Sequence, residues 1–113
     1  MARLIAVYES AVLLSVDKRD GTEDRMWDWR RGYIGKPGCL SVWESERKRP
    51  GQRFLRMDCH STDVLKTGFG AITEDGMRLM LTTKHSKYIF LIGEEAEAWL
   101  KRRSERPETA LSD

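Results

Sequence analysis

Residues 77–103 read MRLMLTTKHSKYIFLIGEEAEAWLKRR and carry the clearest secondary-structure pattern of the chain. Its segment 88–92 is apolar at every position, which is typical of a strand buried on both faces. Segment 77–83 is a second strand-like run, and the polar residues His85 and Ser86 between the two runs predict a tight turn. The pattern therefore predicts a β-hairpin.

A helix is predicted directly after this hairpin, over 94–104. Gly93 ends the second strand, and Glu94 and Glu95 place negative charge at the positive end of the helix dipole. Trp99 lies on the apolar side of the helix, where it would pack against a sheet. Because a hairpin with one helix cannot bury its apolar surface alone, the preceding chain must supply the rest of the sheet.

The preceding chain contains further short runs rich in β-prone residues, separated by turn signals such as Asp75-Gly76. Together with the hairpin they predict seven strands, near 11–17, 27–34, 39–46, 52–60, 67–73, 77–83 and 86–92. Antiparallel strands that curl into a barrel leave an open end, which one amphipathic helix can close. The predicted fold class is therefore mainly β (β+α), a seven-stranded antiparallel barrel or roll closed by one C-terminal helix.

The segment 3–16 admits two interpretations. Residues 3–8 and 11–16 are β-prone, with Glu9 and Ser10 as a kink between them, whereas the apolar run also fits a helix over 4–14. Glu9 and Ser10 interrupt the apolar core that a signal peptide requires, so the segment is interpreted as part of the folded domain.

The length of 113 residues predicts a single β-rich domain over 1–104 and a flexible tail over 105–113. The formal net charge of +2 does not indicate generic nucleic-acid binding. No apolar run approaches the roughly 20 residues that a transmembrane helix needs. Two cysteines fit a reducing compartment, which predicts a cytoplasmic location.

The run 29–34 (WRRGYI), followed by 38–45 (GCLSVWES), resembles the second and third strands of the pleckstrin-homology-like (PH-like) superfold. In that superfold a Trp/Arg/aromatic run is followed by a glycine turn and an aromatic-rich strand. Residues 94–100 (EEAEAWL) resemble its closing helix, whose Trp packs on the barrel. The resemblance extends over 27–46 and 77–103, and it implies a seven-stranded barrel with one helix.

Lipid-binding members of this superfold hold inositol phosphates with a Lys in the first loop and a basic pair in the second strand. The resemblance places Lys18, Arg19 and Arg30 in that neighbourhood as an anion-binding set. Arg31 cannot join Arg30 in one pocket, because adjacent residues of a strand point to opposite faces. Acidic residues of the same loop would also repel phosphate, so the resemblance implies a protein or peptide ligand ahead of an anionic lipid.

Cys39, Cys59 and His60 are the nearest approach to a metal or redox group. If the hairpin turn centres on Arg49, Cys39 faces Cys59 and the two can oxidise; the alternative is that both are small core residues. Zinc sites use closer cysteine spacing and a fourth ligand, so no metal or other cofactor is predicted. The chain also contains no nucleophile elbow or nucleotide fingerprint, and no enzymatic activity is predicted.

The run 27–33 contains Trp, Tyr and Arg, the residue types that dominate protein interfaces, and the loop 47–49 is a dense basic cluster. They predict a contact surface made of Trp27, Trp29, Arg30, Arg31, Arg47, Lys48 and Arg49. The expected function is a non-catalytic protein-interaction module, adaptor-like or inhibitor-like, and a homodimer through a sheet edge is a further expectation. The alternatives are phosphoinositide or anionic-membrane binding, and nucleic-acid binding through the basic loop 47–53.

Overall fold

The computed structural model describes residues 2–18, 29–46, 51–59 and 64–105. Within these ranges the chain forms seven strands, one 3₁₀ helix and one α-helix. The strands are β1 Ala2–Lys18, β2 Pro37–Ser45, β3 Arg53–Cys59, β4 Val64–Lys66, β5 Gly70–Asp75, β6 Arg78–Thr83 and β7 Ser86–Ile92. The 3₁₀ helix is Trp29–Tyr33, and the α-helix, α1, is Gly93–Glu105.

Six of the described strands close into an antiparallel barrel in the order β1-β2-β3-β5-β6-β7, and β4 lies outside it against β3. The seam between β3 and β5 consists of a single residue pair, Arg53 with Gly70. The predicted fold class, mainly β with antiparallel strands and one C-terminal helix, is confirmed.

β1 is long enough to belong to both halves of the barrel. Its first part pairs with β2, its second part pairs with β7, and the register against β2 shifts between Tyr8 and Ala11. The shift falls on Glu9 and Ser10, where a kink was expected. Of the two interpretations of segment 3–16, the strand is therefore confirmed and the helix is wrong.

The inward-facing side chains of the barrel form one buried apolar cluster, to which every strand contributes or lends support. Its largest fully buried members are Phe90, Leu13, Leu40, Leu55, Met57, Leu65, Leu79, Leu81 and Val16. Each such side chain contributes about 1.5–3 kcal/mol relative to an exposed one. Because side chains fill the interior in this way, the outer surfaces of the barrel are the place to look for a binding site.

α1 packs on the side of β1 and β7 that faces away from this cluster. Val12 and Leu91, which are paired across the two strands, form a second buried cluster with Ala96, against which Trp99 is half-buried. Gly93 starts the helix with a positive φ of 63°, which glycine adopts without strain. Within the described ranges no helix is long and apolar enough to cross a membrane.

The predicted strand over 27–34 is wrong in its described part, where residues 29–33 form the 3₁₀ helix. With three residues per turn, Arg30 and Tyr33 lie on the same side of this helix, whereas a strand would point them to opposite faces. Arg30 contacts β7, and the Tyr33 hydroxyl donates to the Val64 carbonyl at 3.1 Å. These two contacts favour the 3₁₀ helix over the strand.

The segment after β3 also differs from the prediction. β4, Val64–Lys66, lies between the predicted strands 52–60 and 67–73, where no strand was predicted, and β5 begins at Gly70 rather than at residue 67. Thr67 is buried between them, and its hydroxyl accepts a hydrogen bond from the Leu55 amide at 2.9 Å. This side-chain contact holds the chain where it leaves β4, so the strand resumes only at Gly70.

The predicted register of the β2–β3 hairpin is wrong by one residue. Trp43 pairs with Phe54, not with Leu55, and Cys39 pairs with Asp58, not with Cys59. The Ser45 amide donates to the Gln52 carbonyl at 2.9 Å, so an even number of residues separates these two, whereas a turn centred on one residue requires an odd number. Relative to the prediction, this slip of one residue moves every side chain of one strand to the opposite face of the sheet.

The β6–β7 turn is also displaced by one residue. Ser86 is the first residue of β7, and the bend consists of Lys84 and His85. The Thr83 hydroxyl accepts a hydrogen bond from the Ser86 amide at 3.0 Å and thereby closes the hairpin. The predicted β5–β6 turn at Asp75-Gly76 is confirmed, with a φ of 64° at Gly76.

Candidate interaction face

The exposed large apolar side chains of the described chain are concentrated on one side of the barrel. Leu4 is 47% exposed, Val7 50% and Val64 41%, and all three lie on the outer side of the sheet formed by β1, β2, β3 and β4. Met77, 36% exposed, lies elsewhere, in the turn between β5 and β6. An apolar concentration of this kind marks a contact surface more often than scattered exposed residues do.

Strand register explains why these side chains share a side. Paired residues of neighbouring strands point to the same face of a sheet. One outward-facing row runs through Leu4, Trp43 and Phe54. A second runs through Val7, Ser41, Arg56 and Lys66, and a third through Cys39, Asp58 and Val64. We call this surface the outer β1–β4 face: Leu4, Val7, Trp43, Phe54, Arg56, Val64 and Lys66.

The centre of the outer β1–β4 face is a fixed aromatic group. The rings of Trp43 and Phe54 are nearly parallel, at 8°, with centroids 6.3 Å apart. Phe69 meets Phe54 edge-on at 5.3 Å and 82°. The Trp43 Nε1–H donates to the Ser41 hydroxyl at 2.9 Å, so the indole is held by both packing and a hydrogen bond. Such pre-ordered aromatic side chains lose little entropy when a ligand covers them.

A shallow pocket of about 330 Å³ opens beside this aromatic group. It is lined by Ala2, Trp43, Phe54, Arg56, Val64 and Lys66. Four of these residues are apolar and two are cationic, so the pocket has an apolar floor and a positively charged side.

The two cations are next to each other. Arg56 pairs directly with Lys66 across β3 and β4, and both side chains are exposed. Arg56 also forms an ion pair with Asp58 at 3.1 Å, and the Lys66 ammonium lies 5.0 Å from the centroid of the Phe54 ring. Like charges directly opposite each other are unfavourable in a sheet. In the part of the chain that the structure describes, Asp58 is the carboxylate paired with these cations, and its one negative charge does not balance two positive charges.

An ion-pair group on the inward-facing side of the same strands holds them together. Glu44 accepts from Arg3 at 2.9 Å and from Arg53 at 3.4 Å, and so links β1, β2 and β3. Glu44 is two residues from the buried Val42 and therefore points to the same inner side of the sheet. Its partners Arg3 and Arg53 are paired with it near the ends of their strands. Since the Arg3 side chain is 62% exposed, the ion pair adds little to stability and mainly orders the strand ends.

A further polar contact on the inner side of the barrel joins β1 to β5. The Tyr8 hydroxyl donates to Glu74 Oε1 at 3.3 Å. Burial raises the pKa of Tyr8 above its ordinary value of 10.0, and the negative charge of Glu74 and this hydrogen bond raise it further.

The structure places the predicted Arg30 and Arg31 within the fold. The half-buried Arg30 donates from Nη1 to the hydroxyls of Ser86, at 2.7 Å, and Tyr88, at 3.0 Å. Arg31 contacts β1, with Nη1 at 3.5 Å from the Val16 carbonyl and 3.8 Å from an Asp17 oxygen. Both arginines therefore tie the 3₁₀ helix to β1 and β7, and neither contributes to the outer β1–β4 face.

Most of the other predicted site residues fall outside the described ranges, namely Arg19, Trp27, Arg47, Lys48, Arg49 and His60, as does the side chain of Trp29. Lys18 is exposed at the end of β1.

Cys39 and Cys59 do not face each other. Cys59 is buried in the barrel cluster, and Cys39, paired with Asp58, points to the outer side. The one-residue register slip puts the two sulfurs on opposite faces of the sheet, so the predicted facing pair is wrong. Within the part of the chain that the structure describes, no group of three or more His, Cys, Asp or Glu is placed to hold a metal ion.

The outer β1–β4 face is not evident from the sequence. Leu4 and Val7 give only a weak indication of exposure, because every second residue of a strand with one buried face points to the other side. The register shift between Leu4 and Ala6 breaks this alternation and brings Val7 to the same side as Leu4. The outward position of Lys66 could not be predicted, because β4 is only three residues long and shows no recognisable strand pattern.

Comparison with protein-family models, with curated proteins and with solved structures gives no match in any of the three.

Proposed function

We propose that this protein is a non-catalytic interaction domain that binds a protein partner through the outer β1–β4 face. One observation carries the proposal: three of the four exposed large apolar side chains of the described chain lie on the same outer face as the ordered Trp43–Phe54 pair. Interfaces are built around aromatic anchors of this kind, with apolar neighbours that exclude water.

The proposed surface differs from the one expected from sequence. Arg30 donates hydrogen bonds to β7 and Arg31 donates one to β1, so both arginines support the fold. The same contacts weigh against an inositol-phosphate site built on Arg30. The aliphatic side chains Leu4, Val7 and Val64 favour a protein over a nucleic acid, because nucleic-acid surfaces rely on basic and exposed aromatic groups. Phe54, at 8% exposure, offers no ring face for a base.

The relationship to the PH-like superfold is likewise a proposal. The order of seven strands followed by one helix supports it. Segment 29–33, which carried part of the resemblance as a strand, is a 3₁₀ helix and does not add to that support.

The test compares partner binding by four proteins of the full chain. The wild type, Val7→Glu, Val64→Glu and the control Met77→Glu are used to capture partners from cells of the source organism, and circular dichroism checks that each is folded. Met77 is an exposed apolar residue away from the face, so it receives the same charge at an unrelated place. We expect one partner to be captured by the wild type and by Met77→Glu and lost from both face variants. Capture of the same partner by all four proteins, or of none by the wild type, would overturn the proposal.

A further inference from the structure

The pocket on the outer β1–β4 face combines an apolar lining with a cationic one. Its floor is made of Trp43, Phe54 and Val64, and its side is made of Arg56 and Lys66. At about 330 Å³ it lies near the lower end of the range of roughly 300–1,000 Å³ that small-molecule pockets occupy. A pocket of this size and shape accommodates a bulky side chain more readily than a large cofactor.

The placement of the two cations indicates the charge of the ligand. Arg56 and Lys66 are direct cross-strand neighbours, an arrangement that costs stability in the free protein. A carboxylate between them would remove that repulsion and form charge-assisted hydrogen bonds with both. Asp58 already forms an exposed ion pair with Arg56. Among the described residues no carboxylate pairs with Lys66, so its ammonium adds an uncompensated positive charge to the pocket.

We infer that the ligand of this pocket is an acidic segment of a protein partner, in which a bulky apolar side chain covers Trp43 and Val64 and a neighbouring carboxylate binds Arg56 and Lys66. This inference rests on the proposed function and adds the chemistry of the partner. Charge complementarity of this kind selects among partners and accelerates encounter. The apolar contact supplies most of the affinity, because the rim charges are exposed to solvent.

The test uses two synthetic peptides that share a central Leu-Phe pair. In one peptide the pair is flanked by Asp and Glu, and in the other by Lys. Binding of each to the ¹⁵N-labelled full chain is followed by NMR chemical-shift changes at several salt concentrations. We expect the acidic peptide to bind at least tenfold more tightly than the basic one, with shifts concentrated on β2, β3 and β4 and with weaker binding at higher salt.

Charge reversal provides the matched variants. The double variant Arg56→Glu/Lys66→Glu should reverse the preference, so that the basic peptide binds more tightly. The control Lys84→Glu makes the same type of change in the exposed bend between β6 and β7 and should leave the preference as in the wild type. Because the double variant is judged by a gain of binding to the basic peptide, a misfolded protein cannot imitate the expected result.

Three outcomes would overturn the inference. They are equal or tighter binding of the basic peptide by the wild type, shifts confined to surfaces other than β2, β3 and β4, and binding of neither peptide. In the last case decanoate, an apolar carboxylate of small size, is titrated; shifts at the same pocket would assign it to a small ligand instead. If the face variants still lose a captured partner while the acidic peptide fails, the proposed function stands and only the acidic chemistry is rejected.

Discussion

Arg56 stands directly opposite Lys66 in the β3–β4 ladder, on the outer side of the barrel. β4 is three residues long and lies outside the closed six-stranded barrel. Its central residue, Leu65, is buried in the barrel cluster, and its other two residues bring Lys66 beside Arg56 and Val64 beside the aromatic pair. The position of a short strand thus determines both the shape and the charge of the pocket.

The variant Lys66→Glu separates the role of this pair in binding from its role in stability. The new Glu faces Arg56, and the cross-strand attraction gains about 0.2–1 kcal/mol. The contact of the ammonium with the Phe54 ring, worth about 0.5–1 kcal/mol at an exposed site, is lost. We expect the free energy of unfolding in urea to change by less than about 0.5 kcal/mol. Binding of the acidic peptide should fall at least tenfold; a parallel fall in stability would instead assign Lys66 a structural role.

Arg30 is expected to stabilise the folded state. Arg30→Met removes the guanidinium that donates to Ser86 and Tyr88 while keeping an unbranched side chain. The hydroxyls of Ser86 and Tyr88 would then lose a charged donor, and both residues are buried. We expect the free energy of unfolding, measured by urea denaturation, to fall by about 1–3 kcal/mol.

The matched control for Arg30 is its neighbour. Arg31 makes longer contacts, at 3.5 and 3.8 Å, and its side chain is 32% exposed. Arg31→Met should therefore change stability by no more than about 0.5 kcal/mol. Equal losses in the two variants would contradict the assignment of Arg30 as the residue that anchors the 3₁₀ helix.

The strands that the sequence predicts well are those whose apolar pattern is set by burial. Segments 39–46, 52–60, 77–83 and 86–92 agree with β2, β3, β6 and β7 to within two residues at each end, because the barrel interior demands apolar residues there. The α-helix begins at Gly93 against a predicted start at residue 94, since the glycine and the two glutamates are local signals.

Segment 29–33 could not be predicted in the same way, because the spacing of its residues fits both the period of a strand and the period of a 3₁₀ helix. Trp29, Arg31 and Tyr33 alternate as a strand would require, whereas Arg30 and Tyr33 are spaced as a 3₁₀ helix requires. The choice depends on Ser86, Tyr88 and Val64, which are distant in sequence. Tertiary contacts therefore decided against the local pattern.

The candidate site was unpredictable for a related reason. It exists only when four strands are in their actual register, and a slip of one residue in the β2–β3 hairpin places Trp43 opposite the buried Leu55 instead of Phe54. That register depends on the number of residues in the hairpin loop. Sequence pattern alone does not determine this number.

Gly70 closes the barrel, and its replacement should open the seam. A Cβ atom on Gly70 would collide with the backbone carbonyl of Thr82, which cannot move without disturbing the β5–β6 ladder. Gly70 also forms the one residue pair between β5 and β3. We expect Gly70→Ala to destabilise the protein by about 1–3 kcal/mol and to increase amide hydrogen exchange in β5. The control Gly68→Ala has open space around the new methyl group and should have little effect.

The contact between Tyr8 and Glu74 predicts how stability responds to alkaline pH. Burial, and then the Glu74 charge and hydrogen bond, raise the pKa of Tyr8 in the folded state above 10.0. The folded state therefore holds this proton more tightly than the unfolded state, so the contribution is fully present below about pH 10 and is lost as the pH rises through the raised pKa. Glu74→Gln should lower the pKa of Tyr8 only in part, because burial is the larger cause. Spectrophotometric titration of the phenolate, with Tyr8→Phe subtracted to remove Tyr33 and Tyr88, measures the shift; an unchanged titration in Glu74→Gln would show that the charge of Glu74 does not reach the phenol.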